Sequence, residues 1–190
     1  MRSWNFSCSR FTLFTSHSSY MDIERRLLQN KKKLAKRWFD LLVGTYPHET
    51  VRLLKKETNQ FANPVGRTFQ AAIDEILDEF FGQNRVDAMG PLLDKVVRIR
   101  AIQDFSPSSS VAFIFDLKAI AREVLEKELA PATVSGQEWS EFDLKVDGLA
   151  LLAFDVYARC RENLFEARMT EFKNRTSRLL KRAEIISGDL

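Results

Sequence analysis

No proline interrupts the chain between Gln137 and Ile186, and the residues there suit a helix almost without exception. At about 1.5 Å per residue such a helix would span about 75 Å. A compact chain of this length has a radius of gyration of about 16 Å, so it is only about 40 Å across. The helix must bend inside its domain or leave it. Phe165, Met169, Phe172, Thr176, Leu179, Ala183 and Ile186 keep a strict 4-3 alternation, the seam of a coiled coil. The spacing therefore predicts a coiled-coil-like helix over about 165–187 that projects and pairs, most simply as a homodimer. Asp147-Gly148 leaves open a break that would shorten the projection.

The rest of the chain also reads as helix. Seven Gly and five Pro in 190 residues are too few for a turn-rich β fold, and 45% hydrophobic content can build a core. A formal net charge of +3 makes no whole-chain case for nucleic acid. Two cysteines, Cys8 and Cys160, do not make a disulfide scaffold and suit a reducing compartment. No apolar run approaches the roughly 20 residues needed to cross a bilayer, so no transmembrane segment and a cytoplasmic location are expected. Residues 1–20 are rich in Ser, lack acids and show no helical period. They read as a disordered leader or a mis-assigned start, with Met21 the preferred beginning of a single domain over 21–190.

Start and stop signals divide that domain. A first helix is expected from Asp22 to Val43, ended by Gly44, and a short second one from Pro47 to Asn59. Asn63-Pro64 and Ser106-Pro107 each pair a capping side chain with a proline at the first helical position. Pro91 is read as opening the helix that carries Leu92, Val96 and Ile99. The helix after Pro107 bears two apolar stripes, one of them including Phe115, and should be central and buried, with its outer end from Arg122 solvated. The fold class is all-α, a single helical bundle with a long C-terminal helix.

Little in the sequence suggests chemistry. His17 lies in the leader and His48 stands alone beside Glu49, so histidine-based metal or haem ligation is not expected. Asp74, Glu75, Asp78 and Glu79 crowd one helix, but a carboxylate-bridged metal site in a bundle also needs a Glu-x-x-His element, which is absent. Cys160 falls on the apolar stripe Leu149-Leu152-Val156-Cys160 and reads as a buried structural thiol. No catalytic residue, metal or cofactor is therefore expected. A candidate polar network joins Arg98, Arg100, Gln103 and Asp104 to Asp155 and Arg161, on the argument that buried charges need partners. The basic run from Lys173 to Arg182 reads as the flank of the coiled-coil seam rather than a nucleic-acid site, because no stacking aromatics are interleaved.

Three segments carry a family resemblance. "FANPVGRTF" (Phe61–Phe69), "RIRAIQDFSPSSSVAFIFDLK" (Arg98–Lys118) and "LALLAFDVYARCRENLFEAR" (Leu149–Arg168) resemble the N-terminal domain of RsbRD-type RsbT co-antagonist proteins. The resemblance implies a non-enzymatic, all-helical sensory or regulatory module, related in idea to the haem-free, globin-like input domains of stressosome proteins. It implies a protein partner, either a STAS-domain protein or a kinase, because this chain ends at Leu190 without room for an output domain. It also makes the last helix the expected docking surface. The alternative reading is a structural accessory subunit of a larger, redox-type assembly.

Overall fold

A computed structural model describes the backbone of residues 20–56, 63–127 and 134–187, and side chains over 23–55, 63–127 and 134–182. The expected leader lies outside these residues except for Tyr20, which opens the first helix. The described elements are seven α-helices: α1 (Tyr20–Gln29), α2 (Lys31–Gly44), α3 (His48–Lys56), α4 (Pro64–Phe81), α5 (Val86–Ile102), α6 (Pro107–Glu126) and α7 (Gly136–Ser187). The protein is all-α, as the sequence predicts.

Local chemistry explains most boundaries. The Asn63 Oδ1 accepts from the Gly66 N–H at 2.9 Å and its amide donates to the Leu54 carbonyl at 2.8 Å, so one buried residue caps α4 and fastens it to α3. The cap leaves no room at Gly66. An added Cβ would press on the Asn63 amide and stand 2.7 Å from the Leu54 carbonyl oxygen, which is backbone and cannot yield. Gly66→Ala is expected to cost about 1–3 kcal/mol in urea unfolding. An unchanged midpoint would mean that α3 moves freely.

Three expectations need correction. The first helix is two, because the chain breaks at Asn30, whose backbone leaves the helical region and whose amide turns back to the Arg26 carbonyl at 3.2 Å. Pro91 does not open α5. The helix starts five residues earlier, after a turn in which Asn84 takes a left-handed φ of 50° and Glu79 accepts the Arg85 N–H. Pro91 is thus an interior residue that forgoes a single ladder bond. The earlier turn of α5 is retained because it buries Met89. The outer end of α6 is not free in solvent either: Leu125 is buried and Arg122 reaches Asp143 of α7 at 2.6 Å. The expected extension of the second helix beyond Lys56 lies outside the described residues.

The core forms where α7 packs on α5 and α6, with α2 and α4 closing the other side. Trp38 of α2 is fully buried, stacks on Phe113 and donates to the Phe113 carbonyl at 2.6 Å. Lys118 and Arg122 of α6 pair with Asp147 and Asp143 of α7, which sets the two helices antiparallel.

The last helix begins with a capping box. Ser135 accepts from the Glu138 N–H, and the Glu138 carboxylate accepts from the Ser135 N–H at 2.8 Å. From there α7 runs 52 residues, about 78 Å at the usual rise. It does not break at Gly148. A glycine inside a helix costs about 1 kcal/mol relative to alanine. Here the two turns around it bury Val146, Leu149, Ala150 and Ala153, and packing outweighs propensity.

Candidate functional site

The turn between α5 and α6 gathers more polar bonds than its length requires. Gln103 caps α5 through its N–H to the Ile99 carbonyl. Asp104 then adopts a left-handed φ of 58°, which a short polar side chain tolerates. The Phe105 N–H returns to the Arg100 carbonyl at 3.1 Å, and Ser106 caps α6 by accepting the Ser109 N–H. Two helices therefore meet at a turn with almost no slack.

Arg100 holds this turn from the inside. Its side chain is fully buried without a carboxylate in ion-pair range among the described residues. It donates to the Ser109 carbonyl at 2.8 Å and, more loosely, to the Leu42 carbonyl at 3.4 Å, while its Nε has no partner. Its guanidinium lies 4.4 Å from the Phe105 ring centre, with the Tyr46 and Phe113 rings at 5.6 and 5.9 Å. Aromatic faces thus replace a counter-ion. Burial lowers the Arg100 pKa, opposed by Tyr46 and Asp116, and burial raises both Tyr46 and Asp116. Tyr46 in turn donates to Gln103 Oε1 at 2.9 Å, which ties the end of α2 to the same turn.

Three residues of α7 grip the α5 side of the molecule. Tyr157 donates to the Phe105 carbonyl at 2.8 Å. Arg161 reaches the Ala101 carbonyl at 3.3 Å and Asp104 at 3.1 Å. Cys160 donates to Asp94 at 3.3 Å, and the other oxygen of Asp94 takes Arg98. These are the last anchors on α7: every described residue from Phe165 to Arg182 is exposed.

The structure brings together part of the proposed polar set. Asp104 in the α5–α6 turn and Arg161 of α7 meet as an ion pair. Arg98 pairs instead with Asp94 on its own helix, Gln103 turns to Tyr46, and Arg100 points into the core. Asp155 is exposed and forms no ion pair among the described residues, so it takes no part. Tyr46 and Tyr157 were not legible as members. Their apolar neighbours give the helical period, whereas a hydroxyl's partner depends on tertiary packing.

Burial pushes the Cys160 thiol up from its ordinary value of 9.0 to about 11, helped by the hydrogen bond to Asp94 and the nearby carboxylate charge. The thiol is a structural group. A pKa raised by folding keeps its stabilising effect below pH 9.0 and loses it as the pH climbs toward about 11. Iodoacetamide should label the native chain at Cys160 slowly at pH 7.5, with stability to urea declining above pH 9. Fast labelling of the folded chain would contradict the assignment.

Along the projecting part of α7 the seam residues are conspicuous. Phe165, Phe172 and Leu179 are each about two-thirds exposed, Met169 less so, and Leu180 adds to the same side. The Thr176 hydroxyl satisfies itself on the Phe172 carbonyl at 3.0 Å. Ala183 and Ile186 continue the spacing, but their side chains lie outside the described residues. Nearer the body, Leu144, Leu151 and Phe154 of α7 and Phe115 of α6 are also exposed, which corrects the expectation that Phe115 is buried. No group of metal-ligating side chains occurs among the described residues, and no described helix is long and apolar enough to cross a membrane.

The described residues thus form an all-helical domain whose long last helix is held at one turn and then exposes an apolar stripe. Comparison with known families is more specific. Residues 32–171 match the model of the RsbT co-antagonist protein RsbRD N-terminal domain, and the chain belongs to that family of regulatory domains. A relative from Archaeoglobus fulgidus, itself described as an uncharacterized protein, is 26% identical over 143 residues, spanning 75% of this chain and 84% of its own. No solved structure matches. The family match ends within the exposed part of α7, so it covers the anchored turn and only the start of the seam.

Proposed function

We propose that the chain is a non-enzymatic regulatory module of stress signalling that acts on a protein partner through α7. The observation that carries this reading is the continuity of α7. One unbroken helix is buried at Phe142 and Ala153, pinned at Tyr157 and Arg161 to the α5–α6 turn, and fully exposed beyond Phe165. A signal that repacks the turn around Arg100 would shift or rotate the helix, and the seam would carry that change outward. Packed helices move between discrete arrangements, which suits a relay. The family match supports a regulatory role, and STAS-domain proteins or kinases are the partners it favours.

The test is affinity capture of the full chain from its native cells, with mass spectrometry of what accompanies it. STAS-domain proteins or kinases should be recovered, in amounts that vary with growth conditions. A fixed set of redox or membrane subunits at constant stoichiometry would identify an assembly component and sink the relay.

A further inference from the structure

We infer that the exposed seam of α7 docks a helix of another protein whose flanks are acidic, in preference to α7 of a second copy. The inference rests on the relay reading and names the partner's chemistry. The 4-3 seam assigns Phe165, Phe172 and Leu179 to one core position and Met169 and Thr176 to the other. The two positions that border the seam are then also fixed. One border is Arg161, Arg168, Arg175 and Arg182, an arginine every seven residues. The other is Glu166, Lys173 and Leu180.

Border residues choose the partner in a coiled coil. In an antiparallel pair of two copies, the arginine border would face itself along its whole length. In a parallel pair, Arg168 would face the second copy's lysine at 173. The one attractive cross-pair, Arg161 with the glutamate at 166, competes with the Asp104 contact already in place at 3.1 Å. Arg168, Lys173 and Arg182 have no acidic partner among the described residues. Arg175 does pair with Glu171 at 3.0 Å, but both side chains are mostly exposed and the pair is weak. The projecting segment offers only roughly three heptads, too few for apolar burial to override like-charge borders. A helix with glutamates or aspartates beside its own seam would pair with the arginine border and with Lys173, and would bury the phenylalanines.

The full chain with Arg168→Glu, Lys173→Glu, Arg175→Glu and Arg182→Glu supplies such a helix. All four sites are exposed, and circular dichroism will show whether helix content is kept. In light scattering the wild type and the reversed copy should each be monomeric at micromolar concentration. Their mixture should form a one-to-one pair at least about tenfold tighter than either self-association, the scale expected when several border pairs change sign. Added salt should weaken the pair, and Phe172→Glu in the wild-type copy should abolish it. Wild-type self-association as tight as the mixed pair would overturn the acidic preference while leaving helix pairing intact. No pairing in any mixture would overturn both the preference and the docking role of the seam. Binding of the wild type alone to anionic phosphatidylserine vesicles, without helix pairing, would assign the basic border to a membrane surface and also overturn the inference.

Discussion

Replacing Phe172 by Glu should remove partner capture while leaving the fold untouched. Phe172 is about two-thirds exposed, well past the last anchors at Cys160 and Arg161, so no core contact depends on it. In a docked complex it would sit at the middle of the seam. Central aromatic anchors of interfaces cost about 2–4 kcal/mol when lost, which weakens binding by roughly thirty- to a thousandfold. A buried glutamate adds a desolvation penalty to the lost contact. Unfolding by urea should not change by more than about 0.5 kcal/mol, the usual limit for exposed sites. Leu179→Glu should behave alike. Undiminished capture by both variants would place the docking surface elsewhere, with the exposed Leu151, Phe154 and Phe115 the next patch to test.

Arg100→Ala should act in the opposite way, on the fold first. The side chain is fully buried between Tyr46, Phe105 and Phe113, and its removal opens a cavity at the junction of α2, α5 and α6. Large-to-small changes at such sites cost about 2–5 kcal/mol. Arg100→Met should recover much of that loss. It refills the volume and removes a buried charge that has no carboxylate in ion-pair range among the described residues, a swap that is often neutral. Met cannot donate to the Ser109 carbonyl, so the turn should still loosen. The methionine variant is thus expected to fold and yet respond poorly to the signal. Equal destabilisation by Ala and Met would show that the guanidinium bonds, not the volume, hold the junction.

Much of the fold was legible because its signals are local. Asn63-Pro64 and Ser106-Pro107 announce their helices through chemistry contained within four residues, and both caps form as read. The Ser135–Glu138 box was equally local and was open to the same reading. Pro91 misled because proline marks a helix start only when nothing earlier can helix. The left-handed Asn84 and the burial of Met89 moved that start upstream. Asn30 broke the first helix for a similar reason, through a side chain that competes with the ladder.

The candidate site divides along the same line. The seam on α7 depends only on spacing, so the sequence displays it. The ties to the turn depend on which helix faces which, and only Asp104 with Arg161 emerged from the expected network. Arg100 looked like a member of a charged cluster, but the aromatic rings that receive it come from the segment after α2, the α5–α6 turn and α6. The exposed Leu144 and Leu151 lie seven residues apart and in phase with Phe165. Asp155 and Glu162 interrupt the seam between them and Phe165, which hid that continuity.

Whether α7 transmits or merely tethers is the central question, and hydrogen exchange on the full chain with and without its captured partner answers it. The relay predicts protection over residues 165–182 and, in the same complex, a changed exchange rate over residues 101–106, where Arg161 and Tyr157 grip the turn. Protection confined to the exposed end, with the turn unaltered, would make α7 a passive anchor and contradict the account.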